Sequence, residues 1–103
     1  MALKKVQIAK VYRPDGTITM YHPENNKKFD YKELQSFVGG YLELVVPLDK
    51  HTTVYVNEEG KMKALPPNRF TWDVLDWKVY QLNGYSQMFR VAGPIVQVLT
   101  VPV

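Results

Sequence analysis

The sequence predicts a single α+β domain, spanning 1–103: a mostly antiparallel sheet of five to six strands with two short helices packed on one face. Three observations carry that expectation. Residues 30–48 read as a capped helix, stopped by two glycines and followed by an alternating strand. Pro14-Asp15-Gly16 separates two β-patterned runs. The carboxy-terminal part is β-rich in short pieces divided by proline, glycine and asparagine.

Taken in order, Leu3 to Arg13 reads as a strand, with Val6, Ile8 and Tyr12 on one parity and Ala9 and Val11 on the other. Pro14-Asp15-Gly16 is a turn, because proline presets φ and glycine accepts positive φ. Thr17 to His22 returns, completing a hairpin over 3–22, with Ile18 and Met20 expected inward. Pro23 to Lys28 is a polar loop. Asp30 caps the first helix and Glu33 completes a capping box. Leu34, Phe37 and Val38 share its inner face. Gly39-Gly40 stops it. Tyr41 to Val46 alternates as a central strand, and Pro47 ends it. Thr52 to Asn57 is a strand by branching and aromatic content. Asn57-Glu58-Glu59-Gly60 turns the chain into a short strand, Lys61 to Leu65, closed by Pro66-Pro67. A second helix over Thr71 to Lys78 is capped by Asn68 or Thr71, although Trp77 to Leu82 also fits a strand. Met88 to Ala92 is β-rich. Ile95 to Val101 is nearly continuous in apolar residues and reads as a buried central strand.

Composition narrows the chemistry. The chain has no cysteine, which removes disulfides, thiol nucleophiles and cysteine-ligated zinc. With 46% hydrophobic and 22% charged residues it has the make-up of a folded domain. No apolar run approaches the roughly 20 residues of a membrane span, and Met1 to Lys5 lead into a strand pattern rather than a secretory leader. The net charge of +3 is concentrated before Glu33. That excess offers either a positive edge for anions or nucleic acid, or lysines that guard an edge strand.

No constellation supports catalysis or a metal. His22 and His51 flank predicted turns without neighbouring ligands. Glu58 and Glu59 are consecutive in a turn and point apart, and Asp73 and Asp76 suit the polar side of a helix. Gly39-Gly40 follows a helix and precedes a strand, the reverse of the dinucleotide-binding order. The strongest binding motif is Leu65-Pro-Pro-Asn-Arg69. Stiff prolines present Asn68 and Arg69 near a helix start, where free N–H groups and a guanidinium suit phosphate or carboxylate. The alternative is that Asn68 caps and Arg69 pairs with a surface acid. The seven tyrosines offer stacking surfaces for bases or half-buried sheet positions.

Glu33-Leu-Gln-x-x-Val-Gly-Gly-Tyr-x-Glu43, Val56-Asn-Glu-Glu-Gly-Lys61, Leu65-Pro-Pro-Asn-Arg69 and the late Gly93-Pro94 form a set. Over residues 30–101 the chain thereby resembles a family of small phage and mobile-element proteins described as domain of unknown function 3846. The resemblance implies an intracellular protein of the host cytoplasm, without catalytic residues or cofactor. It would sequester a nucleotide-like signal of host defence, or block a host protein. In the first role Arg69 and Lys61 neutralise charge, Asn68 hydrogen-bonds, and Tyr41 or Tyr85 stacks, in a pocket between protomers of a homo-oligomer. The competing expectations are a host-protein interaction module with aromatic anchors and a nucleic-acid-binding module; no membrane partner is expected.

Overall fold

In the computed structural model, residues 5–49, 51–75 and 90–102 are described, the side chains of 46–49 excepted. They build one five-stranded antiparallel sheet from β1 (Lys5–Tyr12), β2 (Ile18–Tyr21), β3 (Leu42–Asp49), β4 (Thr52–Asn57) and β5 (Ile95–Pro102), in the order β2-β1-β5-β4-β3. Two helices, α1 (Tyr31–Val38) and α2 (Thr71–Val74), complete the described elements. The apolar run at the carboxy terminus is the middle strand, as its composition predicts. Trp77 to Leu82 and Tyr85 lie outside the described residues.

The helices sit on opposite faces, not on one. Alternation along each strand decides this. Ala9, Val11, Val96 and Val98 point to one side and pack with Phe29, Leu34 and Val38 of the α1 segment. Val54, Val56 and Ile95 point to the other and pack with Val74, Leu75 and Val91. A sheet apolar on both sides of its central strands must be covered twice.

α1 follows its sequence signals closely. The Glu33 amide donates to Asp30 Oδ1 at 2.8 Å, and the Asp30 amide donates to Glu33 Oε1 at 3.2 Å, a closed capping box. Gly39 ends the helix in the left-handed region at φ 79°, with its N–H donating to the Gln35 carbonyl at 2.8 Å. Asn57, buried at the end of β4, adds a donor to the Val38 carbonyl at 3.1 Å and so ties the helix end to the sheet. Asp30→Ala is expected to cost about 1 kcal/mol, read as a lower urea midpoint with unchanged slope.

Four local expectations are corrected. β3 is an edge strand rather than a central one, and it runs through Pro47 to Asp49. An edge tolerates a residue without N–H, and the ladder to β4 shifts register between Val45 and Asp49. Ile18 and Met20 face away from α1 and are 50% and 54% exposed. The β1–β2 register sets Thr19 against Val11 and Tyr21 against Ala9, so these two take the helix side. Tyr21 stacks on Phe37 with centroids 4.6 Å apart, and its hydroxyl accepts from Arg13 Nη2 at 2.7 Å. A ring with a polar tip gains more from that site than a methionine does. Residues 61–64 form turns instead of a strand, with Ala64 at φ 53°. Finally, α2 begins after Phe70 without a side-chain cap.

Candidate functional site

One end of the sheet collects the loops that carry the predicted binding residues. The β1–β2 turn, the chain entering β3, the turn leaving β4 and the approach to β5 all lie there, because β1 and β4 end where β3 and β5 begin. Leu65-Pro-Pro-Asn-Arg69 joins them by pairing with residues 91–93. The Gly93 amide donates to the Pro66 carbonyl at 2.8 Å, Pro67 bridges Ala92, and the Asn68 amide donates to the Val91 carbonyl at 2.7 Å. The register pairs Pro67 with Ala92 and Asn68 with Val91, and Arg69 and Arg90 are the next residues along the two segments.

Asn68 is the pin of that arrangement. It is fully buried. Its Nδ2 donates to the carbonyls of Tyr12 at 2.8 Å and Gly93 at 2.9 Å, and its Oδ1 accepts from the Phe70 amide at 2.9 Å. Both amide protons are thus used within the fold. Thr71 Oγ1 donates to the Asn68 carbonyl at 2.7 Å and accepts from the Val91 amide at 3.0 Å. Asn68 therefore holds the backbone that presents Arg69, rather than standing open to a ligand or capping α2 at its first turn.

Arg69 and Arg90, both exposed, line an open cleft of about 360 Å³ together with Pro14 and Pro67. Neither guanidinium has a hydrogen bond or salt bridge among the described residues. Arg69 lies against the β1–β2 turn: a Cβ on Gly16 would meet its Nη1 at 3.2 Å, Cζ at 3.3 Å and Nη2 at 3.6 Å. Gly16 stands at φ 96°, so the turn needs glycine for conformation and for the space the guanidinium takes. Arg13, next to this turn, is committed elsewhere: it donates to Thr19 Oγ1 at 2.8 Å and to the Tyr21 hydroxyl.

Asp15 supplies the local negative charge. The Thr17 amide, at 2.9 Å, holds its carboxyl below the ordinary value of 3.8, helped by the Thr17 hydroxyl at 2.7 Å and by the Arg13 and Arg69 charges. A depressed folded value means stability present above the ordinary value and lost as pH falls through the folded one. Asp15→Asn is expected to flatten the decline of the urea midpoint below about pH 3.8. An unchanged acid limb would contradict the turn geometry.

Tyr41 and Lys61 are not among the described residues that line the Arg69 cleft. Tyr41, 58% exposed, precedes the edge strand β3, and Lys61 is exposed in the turn after β4, next to Gly60, which packs on Ala92. Three strand spacings, about 14 Å, separate β3 from β1. Tyr85 lies outside the described residues. Arg90 was missed, and a lone arginine in a β-rich stretch gives no signal without the pairing of 66–68 with 91–93. His22 and His51 are exposed, and among the described residues no three His, Asp or Glu side chains gather as a metal site. No helix among them is long and apolar enough to cross a membrane.

Sheet order, opposed helices and arginine cleft together define a two-faced α+β domain whose polar loops converge at one end. The family model described as "Domain of unknown function (DUF3846)" matches residues 7–99, and the chain belongs to that family. The match takes in most of the amino-terminal hairpin, which the resemblance over 30–101 leaves out. Comparison with curated proteins and with solved structures gives no significant match.

Proposed function

We propose that this protein is a non-enzymatic binding protein that captures a small phosphate-bearing anion between Arg69 and Arg90. One observation carries the reading. Two exposed arginines line one open cleft, with no hydrogen-bonded or ion-paired partner among the described residues. Like charges that line one cleft repel, and an oxyanion bound by both offsets that repulsion. Arginine forks suit phosphate oxygens in a plane. Pro14 and Pro67 stiffen the cleft walls, which lowers the ordering cost of binding.

Extended along the resemblance, the ligand is a nucleotide-like signal of host defence. The protein then acts as a phage or mobile-element antagonist in the host cytoplasm, as an oligomer. Native mass spectrometry tests this on protein purified gently from cells with and without nucleotide-based immunity. Retained mass of a few hundred daltons, lost on denaturation and absent from Arg69→Ala, is the expected result. A bare protein in both preparations overturns it.

A second reading rests on a different observation. Tyr41, Leu44 and Met62 are 58%, 61% and 85% exposed on or near the β3 side of the sheet. Exposed aromatic and apolar side chains of this kind anchor protein partners. A single stoichiometric host protein retained by the wild type and lost from Tyr41→Ala favours that role.

A further inference from the structure

Resting on the anion-binding reading, we infer that the cleft selects by charge. It takes a doubly charged terminal oxyanion, such as a phosphomonoester, over singly charged phosphodiesters and carboxylates, and Asp15 sets the threshold.

The charges around the cleft are unequal in freedom. Arg69 and Arg90 line it as donors. Asp15 sits on the turn against which Arg69 lies, and two bonds from Thr17 restrain its carboxylate there. Arg13 adds positive field, but its Nη1 and Nη2 already donate to Thr19 and Tyr21. Among the described residues, an entering anion thus meets two cations without a hydrogen-bonded partner and one restrained carboxylate. The field is positive but reduced.

Attraction in that field grows in proportion to ligand charge. Desolvation grows faster with charge, but an open cleft leaves the ligand partly hydrated and keeps that cost small. The entropy of immobilising a small ion is nearly independent of its charge. A fixed cost set against a proportional gain makes a threshold. Asp15 lowers the field until a single charge falls short and a double charge clears it. Geometry acts in the same direction, since a terminal phosphate presents three acceptor oxygens to two forks and a phosphodiester only two.

The test is calorimetric titration of the full chain at about pH 8, where methyl phosphate is doubly charged. The probes are sulfate, methyl phosphate, dimethyl phosphate and acetate. Sulfate and methyl phosphate are expected to bind about tenfold or more tighter than the other two, a difference of about 1.4 kcal/mol. Asp15→Asn keeps a residue that suits the turn. It is expected to tighten every anion, the doubly charged ones by about the square of the factor found for dimethyl phosphate. Equal affinity for all four overturns charge selection and leaves the cleft standing as an anion site. No binding by any probe overturns both. Unchanged affinities in Asp15→Asn remove Asp15 from the role given it.

Discussion

Gly60→Ala is expected to destabilise the fold by more than about 3 kcal/mol, a large share of the roughly 5–15 kcal/mol that holds a domain of this size. Gly60 is buried where the turn after β4 crosses the approach to β5, and a Cβ there would run into the Ala92 carbonyl oxygen. The obstacle is backbone, and that backbone is fixed by the Pro67–Ala92 bridge and the Gly93–Pro66 hydrogen bond. Relief would require separating the very segments that carry Arg69 and Arg90. Gly39→Ala is the control. It has φ 79° but nothing within 4 Å of the new Cβ, so only local strain of about 1 kcal/mol is expected. Urea unfolding of the two variants side by side checks the contrast. Equal, small losses would mean that the Gly60 turn does not pack on Ala92.

Asn68→Ala is expected to cost about 3–5 kcal/mol, since it leaves the Tyr12 and Gly93 carbonyls and the Phe70 amide without their partner. Asn68→Asp is expected to be no better. It retains an acceptor for Phe70 but sets carboxylate oxygens against two carbonyl oxygens in a fully buried site. An Asp variant as stable as wild type would show that the two Nδ2 bonds contribute little. A folded Asn68→Ala protein, stabilised by low temperature, should also bind anions more weakly, because Arg69 loses its support.

Much of the fold was legible because its signals are local. The Asp30–Glu33 box, the Gly39-Gly40 stop and the Pro14-Asp15-Gly16 turn each act within a few residues, and each stands where the pattern puts it. The apolar density of Ile95 to Val101 correctly placed the central strand. Errors arose where a distant partner decides. Ile18 and Met20 alternate as well as Thr19 and Tyr21 do, and only the stack of Tyr21 on Phe37 and its bond to Arg13 show which pair turns inward. Lys61 to Leu65 alternates like a strand, yet Ala64 takes positive φ with no glycine to announce it. The candidate site was half legible. Pro66-Pro67-Asn68-Arg69 was visible as a stiff, polar segment, but its partner strand at 91–93 was not, and so neither was Arg90. Nor could the sequence distinguish an asparagine offered to a ligand from one consumed by three backbone groups.

The chain contains three arginines, so their side-chain Nε–H signals give a direct readout of the cleft in a nitrogen-15 correlation spectrum. Titrating sulfate into the labelled protein is expected to shift the Arg69 and Arg90 signals together along one binding curve. Arg13, bound to Thr19 and Tyr21, should scarcely move. Assignment follows from Arg69→Lys and Arg90→Lys, each of which should remove one signal and weaken the response of the other. Uniform small shifts of all three, without saturation, would contradict the cleft as a binding site.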